Sequence, residues 1–194
     1  MWILPVELVG NHVKLLPLTH AYAEELEDAL QDGEIYKLWY TSVPLVNKVY
    51  EEISKRLQWQ QTGFMQPFVV IDVITNKAVG MTSFCRIDEV NRRVEIGFTW
   101  YSLSVQKTAL NTEAKFMLLR HAFENLNAVA VEFRTNQFNF NSRRAIERLG
   151  AKLDGVLRSA RLYENGMTCD GYVYSILQHE WASVKQNLLY KMYT

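Results

Sequence analysis

Residues 134–151, RTNQFNFNSRRAIERLGA, crowd Asn136, Asn139, Asn141, Ser142, Arg143 and Arg144 between a strand-like run and a short helix closed by glycine. Amides both donate and accept hydrogen bonds, hydroxyls donate, and guanidiniums bind anions. A plain connector does not need that much capacity. Arginines in the first turn of a helix oppose its dipole, a placement easier to understand with an anion nearby. The plainer alternative is a cap at Asn141, with Ser142 at the first helical position and the arginines solvated. That alternative accounts for Asn141 and leaves Asn139 unexplained.

Other chemistry is not indicated. His12, His20, His121 and His179 are scattered without ligand spacing, so no metal site is expected. Cys85 and Cys169 lie far apart and lack a CxxC pattern, as two reduced thiols of a cytoplasmic protein would. Lysine plus arginine and aspartate plus glutamate balance at 21 each, so no global field draws the chain to nucleic acid or an acidic membrane. The apolar start is broken by Pro5 and Glu7 and has no basic flank, unlike a signal peptide, and no later run is long enough to span a bilayer.

The elements that must position these residues change type along 194 residues without a linker, which fits one domain. Residues 6–18 read as two short extended pieces around a Gly-Asn turn. Thr19 is expected to cap a helix to about Leu30, with Ala23, Leu26, Ala29 and Leu30 on one face. Asn47 is expected to cap a second helix carrying Val49, Ile53 and Leu57, ended by Gly63. PFVVIDVI, AVGMTSFCRI and RRVEIGFTWY form an antiparallel meander, because TNK and DEVN are turn sequences. A helix from Thr112 to about Asn125, a strand from Ala128 to Thr135 and a helix from Ser142 to Leu149 follow. A hairpin with Asn-Gly at its turn closes the domain, and residues 178–194 are left as a helical tail. The crossover helix allows strand 128–135 to run parallel to strand 94–101. Where their C-terminal ends diverge, a ligand can enter. That topology brings SVQKTALNT and the asparagine-rich stretch together.

From Glu95 to Arg158 the chain resembles the core of the GNAT superfamily of acetyl-CoA-dependent N-acetyltransferases, and most of all its ribosomal-protein N-terminal acetyltransferase branch. The pieces that carry the resemblance are TEAKFMLLRHAFE and the Asn139–Ser142–Arg143 spacing followed by AIERLGA. It implies an α+β fold over residues 1–177, with a mixed, mostly antiparallel sheet of about seven strands and about four flanking helices. It also implies acetyl-CoA as co-substrate, a primary amine as acceptor, no metal, and direct attack in a ternary complex.

The family's pyrophosphate loop, Q/R-x-x-G-x-G/A, matches Gln106-Lys107-Thr108-Ala109-Leu110-Asn111, followed by Thr112. Such a loop aims backbone N–H groups at an anion at a helix N-terminus. Both glycines are replaced, Ala109 being tolerable only at negative φ and Asn111 tolerating the left-handed region best. Without a phosphate, Asn111 or Thr112 is simply a helix cap. The resemblance further implies that Asn139 bonds the pantetheine arm and that Ser142 reprotonates the departing thiolate, while the dipole argument places an anion such as coenzyme phosphate near Arg143. Glu95 matches the family's catalytic glutamate; as a strand residue it is equally a partner for Arg92, Arg93 or Arg134. Gly97 marks a bulge or a close approach, so that Phe98, Thr99 and Trp100 line the coenzyme through their main chain. Trp39, Tyr40 and Phe84 are expected to line the acceptor slot.

Two readings stand: an acetyltransferase acting on a protein N-terminus or small-molecule amine, or a non-catalytic acyl-CoA-binding or protein-interaction member of the same fold. Neither requires more than a monomer or homodimer.

Overall fold

The meander follows from its turns. Asp72 accepts bonds from Ile74 N and Thr75 N, Asn76 takes a left-handed φ of 53°, and Asp88 accepts from Asn91 N in the next turn. These are the local bonds by which Asx residues close turns. The computed structural model, which describes residues 2–193, thereby places β3 (Met65–Asp72), β4 (Ala78–Asp88) and β5 (Arg93–Tyr101) side by side and antiparallel. β1 (Leu8–Val9) and β2 (Val13–Pro17) extend the sheet on one side. β6 (Ala130–Asn136), β7 (Lys152–Leu162) and β8 (Thr168–Leu177) extend it on the other, in the order β1-β2-β3-β4-β5-β6-β8-β7.

β5 and β6 are the parallel pair, and their pairing stops at Glu95 opposite Glu132. Beyond that point the strands diverge, as the crossover topology requires of the place where a ligand enters.

The helices are α1 (Ala23–Gln31), α2 (Val49–Gln61), α3 (Ala109–Arg120), α4 (Phe140–Leu149) and α5 (Trp181–Tyr193). Strand alternation sorts them into two layers. Phe84, Val94, Ile96, Val131 and Phe133 pack in one core with Leu118 of α3, Ile146 of α4 and Leu188 of α5. Val69, Ile71, Met81 and Trp100 pack in the other with Leu26 and Leu30 of α1 and Ile53 of α2. Among the described residues there are eight strands and five α-helices against the expected seven or so and four or so, α5 being the helix beyond the expected count. The segment expected as a helical tail is α5, and it packs back on the domain: Trp181 stacks on Phe123 at 5.3 Å, and Val184 and Leu188 are buried.

The helix starts correct the sequence reading. α1 and α2 are each preceded by a 3₁₀ turn, His20–Tyr22 and Val46–Lys48, so Thr19 makes no side-chain cap bond and Asn47 lies inside the turn. α3 starts at Ala109 rather than Thr112, because Thr108 Oγ1 accepts from Leu110 N. α4 starts at Phe140 because Asn139 Oδ1, not Asn141, caps it by accepting from Ser142 N at 3.1 Å. In each pair the residue closer to the strand exit meets the free N–H groups first.

Glu113 of the TEAKF segment ties α3 to the far end of the sheet. Its buried carboxylate accepts from Asn11 N at 2.8 Å and His12 N at 2.6 Å, at the β1–β2 turn. A carboxylate bonded by two backbone donors is a charge-assisted pair whose loss leaves those donors unsatisfied. Glu113→Ala is expected to lower unfolding stability by roughly 2–4 kcal/mol in a urea titration. A variant with wild-type stability would show that solvent replaces the carboxylate.

Candidate active site

The site begins with one extra residue in β5. Ser83 pairs with Gly97 and Met81 with Trp100, so one residue of β4 faces two of β5, Phe98 and Thr99. Such a bulge flips the side-chain phase. Ile96 faces the α3 layer, Phe98 faces α2 with Trp59 at 5.4 Å, and Thr99 faces α3 again, where its hydroxyl meets Thr82 at 2.7 Å. Phe98 takes φ 50°, uncommon for a bulky residue. Gly97 is required by close approach: a Cβ there would stand 2.7 Å from Glu95 Oε1 and 3.1 Å from Cys85 Sγ.

The strained residue is held by Arg56, fully buried on the inner face of α2. Its Nη1 donates to the Phe98 carbonyl at 3.0 Å and to Ser83 Oγ at 3.4 Å, while Nε donates to Glu52 at 2.8 Å. In a trans peptide the N–H of the next residue points opposite to that carbonyl. Holding the Phe98 oxygen toward α2 therefore turns Thr99 N–H away from α2. Sequence reasoning missed Arg56; its signal is an arginine three residues after Ile53 and seven after Val49, on the apolar face of α2.

Between the diverging strands lies a cleft of about 870 Å³, roofed by residues 40–43 and walled by β7 and β8. Of the expected coenzyme residues it is lined by Phe98, Thr99, Trp100, Asn111, Thr112 and Asn139, and also by Ser142. Asn111 Oδ1 is buried in this wall with no hydrogen-bond partner among the described residues, an acceptor that an amide N–H of a bound chain would satisfy. Gln106, Lys107, Thr108, Ala109 and Leu110 stand outside the cleft at the start of α3. There Gln106 Nε2 donates to the Tyr101 carbonyl, and Lys107, not Asn111, is left-handed with φ 61°. Ala109 is simply the first helical residue, so the altered glycine positions carry no backbone strain.

Three expected residues lie elsewhere. Phe84 is fully buried on the α3 face of β4, against Phe68 and His121, and belongs to the core. Arg143 is turned onto β8, its guanidinium 3.9 Å from the Tyr172 ring centroid and Nε donating to Tyr174 Oη. An aromatic face, rather than an anion, offsets its opposition to the helix dipole. Trp39 is half exposed outside the cleft, against Tyr40, Phe138 and Tyr163, whereas Tyr40 lines it.

Glu95 sits just behind the wall. Its Oε2 lies 3.1 Å from Arg86 Nε and 3.3 Å from Arg134 Nε, close enough for charge pairing but without aligned hydrogen bonds. Arg93, by contrast, pairs with Glu132 at 2.6 Å. Burial raises the Glu95 carboxyl above its ordinary value, partly offset by the two arginines.

Lys115, unsuspected from sequence within the apolar AKFMLL run, lies buried in the cleft wall. Its Nζ donates to Thr99 Oγ1 at 2.8 Å and reaches no carboxylate within 4 Å among the described residues. Burial pulls its pKa down to about 7. The unfolded lysine binds its proton up to about pH 10.4, so stability rises with pH between about 7 and 10. Lys115→Met is expected to raise the melting temperature by several degrees at pH 7, the gain shrinking as pH approaches 10. A loss of stability at pH 7 would show that the buried ammonium is compensated.

Comparison with known proteins shows the family and the fold. The family model for the acetyltransferase (GNAT) domain matches residues 12–152. YdaF of Bacillus subtilis, provisionally named a ribosomal N-acetyltransferase, is 37% identical over 91% of this chain and 97% of its own. A crystal structure from T. thermophilus, provisionally described as an acetyltransferase, superposes with a TM-score of 0.86 at 30% identity, covering 100% of both chains. Mycobacterium smegmatis RimJ, solved with CoA-disulfide, shares the fold with a TM-score of 0.76 at 20% identity over 92% of this chain and 88% of its own. A sheet split beside a bulged strand, with helix N-termini at the split, and these matches along nearly the whole length lead to one conclusion: the chain belongs to the GNAT acetyltransferase family.

Proposed function

We propose that the protein transfers the acetyl group of acetyl-CoA to a primary amine by direct attack in a ternary complex. The observation that carries this reading is the divergence of β5 and β6 beside the bulge at Phe98, opening a cleft between the starts of α3 and α4. The first-turn N–H groups of α3 have no intrahelical partners and, with the helix dipole, suit a pyrophosphate. Asn111 Oδ1 and the unused Nδ2 of Asn139 suit the amides of pantetheine. Thr99 N–H, turned from α2 by the Arg56 bond, suits the thioester carbonyl as it becomes an oxyanion.

In this mechanism the free amine attacks the thioester carbon, an N–C bond forms and the C–S bond breaks. Ser142 Oγ lines the cleft, donates its proton to the departing thiolate and takes in its place the proton that the attacking nitrogen sheds as the amide forms. Glu95 accepts the proton of the incoming ammonium, directly or through one water, its raised pKa bringing it nearer to the amine's. A non-catalytic acyl-CoA-binding role is favoured by one feature only, the glycine-free loop before α3.

Titration calorimetry with acetyl-CoA is expected to show one saturable site, and thiol release to appear when amines are added. Binding without release from any amine would favour the non-catalytic role; absence of binding would remove both. Glu95→Gln is expected to lower turnover by roughly 10²–10⁴-fold at neutral pH, with partial recovery at higher pH as the amine arrives deprotonated. A variant with wild-type turnover and a lower melting temperature would leave Glu95 as the ion-pair partner of Arg86 and Arg134.

A further inference from the structure

The chain is neutral as a whole, yet the face of the cleft toward α2 and the closing hairpin is cationic. Arg86, Arg93 and Arg134 share two carboxylates, Glu95 and Glu132. Lys55 lies 3.8 Å from Glu52, whose other oxygen is taken by Arg56 at 2.8 Å. Arg161 has no carboxylate within 4 Å among the described residues. It is held in place instead by the Tyr163 ring, 4.7 Å from its guanidinium carbon, and by a bond from Nη1 to the Thr41 carbonyl at 3.4 Å. Asp170, the carboxylate lining the cleft, is occupied by Ser159 N at 2.8 Å. A guanidinium fixed at a mouth where cations outnumber carboxylates is a site short of one anion.

Beside Arg161 lies an aromatic shelf. Trp39 and Phe138 meet at 5.5 Å yet stay 50% and 44% exposed, and Trp39 reaches Tyr163 at 5.9 Å. Asn136 Nδ2 donates to Tyr163 Oη at 2.9 Å and fixes that ring. Tyr40, edge-on to Trp39, continues the shelf into the cleft. Exposed aromatics that already touch one another at a cleft mouth offer a face to a flat apolar group.

Resting on the acetyl-transfer reading above, we infer that the acceptor is a small primary amine that carries both an anionic group, met by Arg161, and an aromatic ring, met by the Trp39–Phe138–Tyr163 shelf. A carboxylate and a phosphate share the required chemistry. A basic peptide or a polyamine would meet repulsion from Arg86, Arg134 and Arg161.

The test is the rate of thiol release from acetyl-CoA with matched acceptors: phenylalanine against phenylalaninamide, and tyramine phosphate against tyramine, with spermidine and a lysine-rich peptide as cationic members. Phenylalaninamide has the less basic amine and is intrinsically more available at neutral pH, so preference for the acid must come from the protein. The anionic member of at least one pair is expected to exceed its partner about tenfold or more in kcat/KM, an advantage that fades with added salt. Which pair shows it tells carboxylate from phosphate. Arg161→Gln is expected to bring that ratio toward one while leaving the calorimetric affinity for acetyl-CoA unchanged. If acetyl-CoA binds but anionic members show no advantage, no aromatic acceptor is used, or cationic amines are preferred, the inference falls and acetyl transfer stands. If acetyl-CoA does not bind, the acetyl-transfer reading falls instead.

Discussion

The bond from Arg56 to the Phe98 carbonyl is the constraint on which the site depends. Phe98 is left-handed in a strand, which costs free energy on the order of 1–3 kcal/mol and persists only where the surroundings over-determine it. Arg56 supplies that determination from a fully buried position, with Glu52 offsetting its charge and the Phe98 ring within cation–π reach. Releasing this carbonyl would let β5 return to regular pleating and face Thr99 toward α2. The cleft wall, the Thr99–Thr82 pair and the place of Lys115 would go with it.

The two layers divide the work accordingly. The α3 layer carries groups suited to a coenzyme: the first-turn N–H groups of α3 other than the capped Leu110 N, Asn111, and Asn139 at the cap of α4. The α2 layer carries Arg56 and Glu95 with its arginines, while the aromatic shelf beside Arg161 stands at the cleft mouth. The bulge joins them by presenting successive residues to opposite layers, Phe98 to one and Thr99 to the other. The glycine-free approach to α3 fits this division, because Lys107 rather than Asn111 absorbs the left-handed turn and the helix begins one turn early.

Much of the fold was legible in the sequence because it is written in local signals. The meander turns, the Asn-Gly hairpin and the alternation of strands are periodic or capped features, and the TEAKF and Asn139–Ser142 segments pointed to the two helix starts. Boundaries were less legible: Thr108 and Asn139 each outcompete a capping residue two or three positions later, which depends on where the strand releases the chain. Phe84 was misplaced because strand alternation decides which face an aromatic takes, and β4 turns it toward α3. Arg56 and Lys115 were invisible for a different reason. A single charge in an apolar helix face reads as solvated unless the strand residues opposite it, here Phe98 and Thr99, are already known to offer oxygens.

The most direct measurement is a crystal structure of the protein with acetyl-CoA bound. The account predicts the pyrophosphate against the first-turn N–H groups of α3 not taken by the Thr108 cap, those of residues 109, 111 and 112, the pantetheine between β5 and β6, and the thioester oxygen within hydrogen-bond distance of Thr99 N. A coenzyme bound outside the β5–β6 split, or in the split with its thioester away from the bulge, would contradict it.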